Sequence, residues 1–195
     1  MTPAEVLQEF EDVGALLKGH FVLSSGLHSD TYLNKSIVSQ YPAPTERLCR
    51  ALAAKIRDQI GGVPDVVVSP AMGAIIYGYE TARHLQTPFM FTERVDGEFQ
   101  LRRGFELRPG TRVVVVEDIV STGLSARECL TCVRQAGGDA LALACLIDRS
   151  NGAADVGAPM VSLAALEVDA YEPENLPPHL QGVPAVKPGS RGVSQ

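Results

Sequence analysis

Residues 113–126 read VVVVEDIVSTGLSA, and this stretch decides the fold. Four consecutive valines indicate a strand that is buried on both faces, as in a parallel sheet covered by helices. Glu117 and Asp118 follow where that strand reaches its carboxyl end, and a Ser/Thr/Gly loop (121–125) leads into a predicted helix. Because ligands bind beyond the carboxyl ends of parallel strands, we expect a binding site at this point of the chain.

The segments around this stretch alternate between strand and helix patterns. Short apolar runs at 65–69, 88–94 and 140–147 predict further strands, and residues 159–168 are a candidate last strand. Helical spacing of apolar residues separates these runs. The alternation predicts an α/β fold with a mostly parallel central sheet flanked by helices.

The two ends of the chain follow other patterns. A capped helix is predicted to run to Gly19, and residues 20–35 predict a hairpin or two short strands. We expect residues 1–40 to contribute to a small hood on the core. The tail 172–195 is rich in proline and glycine, which favours a loop appendage over a second domain. The 195 residues are therefore expected to form one domain.

Composition excludes several classes of protein. The chain carries 17 basic and 23 acidic residues, a net charge of −6, which argues against non-specific nucleic-acid binding. No basic and apolar leader opens the sequence, and the apolar run 140–147 is far shorter than a membrane span. Four cysteines are too few for a disulfide scaffold. We expect a cytoplasmic protein with no membrane partner.

The loop and the acidic pair favour a ribose phosphate as ligand. Backbone N–H groups at a helix N-terminus bind phosphate, and Gly123 permits close approach of the backbone. Glu117 and Asp118 suit the hydroxyls of a sugar. An acidic pair alone is explained as well by a polar turn, whereas strand, pair and loop together are more specific. No GxGxxG is present, and Gly73 and Gly78 have Walker spacing without the Lys-Ser/Thr that should follow.

This combination resembles the phosphoribosyl pyrophosphate motif of the type I phosphoribosyltransferases. Most of the chain is similar to the bacterial orotate phosphoribosyltransferases, in the segments GHFVLSSGLHSDTYLNK (19–35), SPAMGAIIYGYETARHL (69–85), PFMFTERVDGEFQLRRGF (88–105) and VPAVKPGSR (183–191). The resemblance implies transfer of a 5-phosphoribosyl group from phosphoribosyl pyrophosphate to orotate, giving orotidine 5′-monophosphate and pyrophosphate in pyrimidine biosynthesis. It also implies Mg²⁺ held mainly by substrate, without direct protein ligands, and a homodimer with shared active sites.

The resemblance assigns roles to individual residues. Those implied to bind phosphoribosyl pyrophosphate are Glu117, Asp118, Ile119, Val120, Ser121, Thr122, Gly123, Leu124, Ser125, Ala71, Met72 and Gly73. Those implied to act in catalysis are Glu117 and Asp118, with Arg94, Arg102 and Arg103 in a mobile loop that closes over the neighbouring subunit. Ser121 and Arg149 are implied to bind orotate. From the residues alone, a solvated hairpin explains the three loop arginines equally well.

Some positions depart from the family pattern. Many members carry a lysine where FVLSSG has Ser24, and Lys35 is a candidate replacement for that basic contact. Leu124 lies where the phosphate loop is often small. Two other functions stay open on sequence alone: a phosphoribosyltransferase for another base, and a non-catalytic regulator that senses phosphoribosyl pyrophosphate.

Overall fold

A six-stranded sheet forms the centre of the structure, a computed structural model that describes residues 1–23 and 25–188. Its strands in chain order are β3 (Val66–Pro70), β4 (Phe89–Val95), β5 (Glu98–Leu101), β6 (Arg112–Val120), β7 (Asp139–Asp148) and β8 (Met160–Ala165). They lie side by side in the order β5-β4-β3-β6-β7-β8. All neighbours are parallel except β4 and β5. The predicted mostly parallel sheet is confirmed.

Helices cover both faces of this sheet. They are α1 (Pro3–Asp12), α2 (Lys35–Val38), α3 (Pro42–Ile60), α4 (Ile75–Leu85) and α5 (Leu124–Gln135). Of the valines of β6, Val114 and Val116 pack in the cluster that contains α1, α3 and α4. Val113 and Val115 pack in the cluster that contains α5. Because successive side chains of a strand point to opposite faces, the valine run fills both layers. None of the helices within the described residues is long and apolar enough to cross a membrane.

The amino-terminal part forms a second, smaller sheet. Strands β1 (Leu16–Val22) and β2 (His28–Leu33) pair antiparallel, as the hairpin pattern predicts. The prediction that the first helix runs to Gly19 is wrong. The helix ends at Asp12, because the chain turns back and the Ala15 N–H donates to the Phe10 carbonyl at 2.8 Å. Helix α1 itself packs against β8 of the main sheet.

Part of the carboxyl-terminal tail lies along the small sheet. The backbone N–H of Val186 donates to the His20 carbonyl at 2.8 Å, and His28 and Tyr171 exchange backbone hydrogen bonds. A ring nitrogen of His20 lies 2.7 Å from the Val183 carbonyl oxygen. These contacts agree with an appendage on the core. Ser24 and residues 189–195 lie outside the described residues. The expectations about the missing lysine and about the end of the tail fall on these residues.

Two segments near the site differ from expectation. The strand predicted over the valine run continues to Val120, so the acidic pair lies inside β6 rather than after it. Residues 95–101, expected to belong to the mobile arginine loop, lie largely in the antiparallel β4–β5 hairpin, which turns at Asp96 and Gly97. Residues 102–111 then lead to β6 without helix or strand.

Candidate active site

The acidic pair lies at the centre of the candidate site. Glu117 and Asp118 are almost completely buried near the carboxyl end of β6. Asp118 Oδ1 accepts the N–H of Ile119 at 2.6 Å, and Glu117 Oε1 accepts the N–H of Asp118 at 3.1 Å. Asp118 Oδ2 is buried and has no hydrogen-bond partner among the described residues. Since buried polar atoms are nearly always paired, this oxygen is available to a ligand hydroxyl.

Burial also changes the chemistry of Glu117. Desolvation, reinforced by the neighbouring charge of Asp118, raises the pKa of Glu117 to about 8. The carboxyl therefore carries a proton in much of the ligand-free protein at neutral pH. A protonated carboxyl donates one hydrogen bond and still accepts others, which suits it to a sugar hydroxyl.

The loop after β6 forms a pocket of about 60 Å³ at the N-terminus of α5, lined by residues 119–126 and Glu117. Ser121 and Thr122 are exposed there. Gly123 has a φ of 76°, and a Cβ at this position would lie 2.8 Å from Cγ1 of Val156. A larger residue would meet both backbone strain and a clash, so only glycine fits. Free N–H groups at the start of a helix with exposed hydroxyls beside them are suited to phosphate.

The turn predicted to hold pyrophosphate lies against the acidic pair. Ala71, Met72 and Gly73 follow β3, which is the parallel neighbour of β6. A Cβ on Gly73 would lie 2.8 Å from Oδ2 of Asp118. The missing side chain lets this turn, called here the 71–73 turn, approach the unpaired carboxylate oxygen. The structure thus brings the two predicted groups together.

A cleft of about 330 Å³ opens beside the pair, lined by Tyr32, Leu33, Asn34, Lys35, Ser36, Ile119, Ser121 and Arg149. The Nε of Arg149 is buried without a partner among the described residues, and burial lowers the pKa of its guanidinium. Asp148 holds the turn that carries Arg149 by accepting the N–H groups of Ser150 and Gly152, each at 2.8 Å. A guanidinium with a free donor in a cleft suits a planar anion.

The three loop arginines are not brought to this site within their own chain. Arg94 pairs with Glu128 of α5 and lies 4.2 Å from the centre of the Phe99 ring. Arg103 binds Glu93 at 2.8 and 2.9 Å, and Arg103, with Arg102 more weakly, lowers the pKa of the Glu93 carboxyl. Over residues 1–23 and 25–188, no contact joins these arginines to the acidic pair. Their assignment to catalysis stays a prediction.

Lys35 belongs to the site, although the sequence indicated it only as a candidate replacement for the basic contact missing at Ser24. Its Nζ lies 3.0 Å from Oδ1 of Asp118. The two residues are separated by 83 positions, so no local pattern connects them. Lys35 is the first residue of α2, and only the fold shows which carboxylate its ammonium meets.

The donor set allows a magnesium ion that is shared with a ligand. Across the described parts of the chain, no group of three or more His, Cys, Asp or Glu side chains could enclose a metal. The acidic pair offers a buried oxygen that has no partner among the described residues, Asp118 Oδ2. Magnesium keeps several waters and accepts phosphate oxygens, so a hydrated ion held mainly by substrate fits beside this pair.

Comparisons with known proteins agree with this geometry. The sequence profile of the family described as Phosphoribosyl transferase domain matches residues 38–180. Orotate phosphoribosyltransferases of Phenylobacterium zucineum and Caulobacter vibrioides are 57% and 58% identical to this chain, and each alignment covers 98% of both proteins.

Solved structures show the same fold. Orotate phosphoribosyltransferase of Aeropyrum pernix is similar with a TM-score of 0.69 at 24% identity, over 83% of this chain and 93% of that one. The enzyme of Mycobacterium tuberculosis, solved with inorganic phosphate, gives 0.65 at 21% identity, over 84% and 95%. The profile match and the extent of identity over whole chains decide the assignment: this chain belongs to the phosphoribosyl transferase domain family and, within it, to the orotate phosphoribosyltransferases.

Proposed function

We propose that this chain transfers the 5-phosphoribosyl group of phosphoribosyl pyrophosphate to orotate, giving orotidine 5′-monophosphate and pyrophosphate in pyrimidine biosynthesis. One observation carries the proposal: the buried carboxylate of Asp118 lies against the 71–73 turn, and the next residue, Ile119, lines both the Arg149 cleft and the pocket at the α5 N-terminus. A sugar phosphate that bears a second anionic group, together with a planar anion, is the pair of ligands that this arrangement suits.

Each group has a defined task in the transfer. The N-terminus of α5 binds the 5′-phosphate, and Glu117 and Asp118 accept the ribose hydroxyls. Positive charge develops on the sugar ring as the bond to pyrophosphate breaks, and the carboxylate of Asp118 stabilises it. Arg149 and Ser121 orient orotate in the cleft, so that both reactants are held together. Magnesium, when bound, neutralises charge on the pyrophosphate leaving group.

The working unit in this proposal is a homodimer in the cytoplasm. Met72, Ile76 and Tyr79 expose apolar side chains on α4 and just before it. An exposed apolar patch indicates an interaction surface. A second copy placed on this face would lie next to the 71–73 turn, where cations are needed, and could supply Arg102 and Arg103. The four cysteines are free and buried, which suits a reducing compartment.

A substrate panel tests the reaction. Purified protein is supplied with phosphoribosyl pyrophosphate, magnesium and one of orotate, uracil, adenine or hypoxanthine, and product nucleotides are separated by chromatography. We expect orotidine 5′-monophosphate and pyrophosphate in equal amounts from the orotate reaction. Turnover of another base in place of orotate would refute the assignment. Binding of phosphoribosyl pyrophosphate without turnover of any base would favour a regulator.

A further inference from the structure

The position of Lys35 is fixed by contacts at both ends of the residue. Its carbonyl accepts the hydroxyl of Tyr77 at 2.8 Å, which ties the start of α2 to α4. Its ammonium contacts Asp118 Oδ1, while about half of the side chain remains exposed. The charged end is therefore held at the site although the stem faces the open cleft.

The 71–73 turn has no cation of its own. Its residues are Ala71, Met72 and Gly73, none of which carries a charge. A Cβ placed on Gly73 would lie 3.7 Å from Nζ of Lys35. The ammonium thus lies beside the turn, within van der Waals contact of the point where a Cβ on Gly73 would lie.

Pyrophosphate needs positive charge at this turn. Two of the loop arginines, Arg94 and Arg103, already form ion pairs with Glu128 and Glu93. Arg149 lines the same cleft as Lys35, but no contact within the described residues places Arg149 beside the turn. Within the described part of this chain, Lys35 is the cation that both touches the acidic pair and lies beside the turn.

We propose that Lys35 binds the pyrophosphate group of phosphoribosyl pyrophosphate, and that its pair with Asp118 holds the ammonium in place while the site is empty. This inference rests on the proposed function, because it assumes that the 71–73 turn receives pyrophosphate. When ribose hydroxyls bind Asp118, the ammonium turns towards the pyrophosphate oxygens. No bond forms or breaks in this step, and Lys35 stays protonated.

Three variants test the contact. Lys35→Met removes the charge, Lys35→Arg retains it, and Lys18→Met removes a lysine from β1 that bonds Thr31 Oγ1 at 2.7 Å. A lost charge-assisted hydrogen bond weakens binding by about tenfold or more. We therefore expect Lys35→Met to raise the KM for phosphoribosyl pyrophosphate and the Kd of magnesium pyrophosphate about tenfold, and the KM for orotate less than threefold. Lys35→Arg recovers most of the affinity, and Lys18→Met leaves all three constants unchanged.

A double-mutant comparison separates direct binding from an effect through Asp118. The Kd of magnesium pyrophosphate is measured by calorimetry for Lys35→Met in the wild-type and Asp118→Asn backgrounds. A direct contact predicts weakening in both backgrounds, whereas a lysine that only positions Asp118 predicts no further loss in Asp118→Asn. Melting curves establish that each variant is folded. If Lys35→Met does not fold, Lys35→Gln is measured in its place.

The outcomes that overturn the inference are distinct from failure of the proposed function. Unchanged pyrophosphate affinity in Lys35→Met, or a larger loss for orotate than for pyrophosphate, refutes the assignment of Lys35. If wild-type protein turns over no orotate, the proposed function fails. The calorimetric comparison needs no turnover, so it still decides whether Lys35 binds pyrophosphate.

Discussion

Replacement of Glu117 by glutamine should stabilise the ligand-free protein at alkaline pH. Glu117 is buried, and its pKa is raised from 4.5 to about 8 by desolvation and the charge of Asp118. Glutamine has nearly the same shape and retains an oxygen that can accept the Asp118 N–H, as Glu117 Oε1 does at 3.1 Å. The substitution therefore removes a buried negative charge while it preserves the main contact.

The raised pKa of Glu117 determines whether the protein gains or loses stability as pH rises. The folded protein binds the Glu117 proton more tightly than the unfolded chain, so the stabilisation is full below pH 4.5 and is lost as pH rises towards about 8. A pKa difference of one unit between the folded and unfolded protein changes the free energy of unfolding by about 1.4 kcal/mol. The interval from 4.5 to about 8 therefore sets an upper bound of about 5 kcal/mol on this change. We expect Glu117→Gln to gain about 2–4 kcal/mol relative to wild type between pH 4.5 and pH 9, which is below this bound.

Urea unfolding of the ligand-free proteins measures this difference. Wild type and Glu117→Gln are compared at about pH 5 and about pH 9, at one protein concentration because association alters apparent stability. Glu167→Gln, at an exposed position outside the site, is the matched control, and its difference from wild type should be the same at both pH values. A Glu117→Gln difference that does not grow with pH would refute the argument from burial.

Three further predictions concern catalysis and assembly. Asp118→Asn should lower kcat by about 10²-fold or more and leave the fold intact, since one electrostatic stabiliser of the transition state is lost; near-wild-type turnover at saturating substrate would exclude the role. Arg149→Ala should weaken orotate about ten- to a hundredfold and phosphoribosyl pyrophosphate much less. Equal weakening of both ligands in direct binding measurements would indicate collapse of the site. Co-refolding Asp118→Asn with Arg102→Ala/Arg103→Ala in equal amounts should restore about a quarter of wild-type activity, because half of the dimers are mixed and each mixed dimer has one intact shared site. An inactive mixture would show that the arginines act within their own subunit.

The sequence predicted the part of the site that is built by one continuous segment. The valines of β6, the acidic pair and Gly123 at the start of α5 follow one another, so periodicity and residue type suffice to place them. The 71–73 turn could be added because parallel neighbouring strands end at the same edge of a sheet.

What the sequence left open depends on contacts between distant segments. The pair of Lys35 with Asp118 forms because β2 delivers α2 to the edge of the main sheet, which no local pattern reveals. The partners of Arg94 and Arg103 depend in the same way on the pairing of β4 with β5 and on the packing of α5 against that hairpin. A strand pattern in a polar, glycine-bearing segment is weak, and the segment was therefore expected to be a mobile loop.

The unpaired buried atoms of the structure give an independent reason to place both substrates where we have placed them. Among the described residues, two charged side chains have a buried atom without a hydrogen-bond partner: Asp118 at Oδ2 and Arg149 at Nε. Leaving such an atom unpaired costs about 1–3 kcal/mol, and more for a charged group. The carboxylate oxygen requires a donor, which a ribose hydroxyl would supply in the proposed reaction, and the guanidinium requires an acceptor, which an orotate oxygen would supply. Each substrate therefore removes a penalty that the empty site carries, and a ligand that lacks one of these groups leaves it in place.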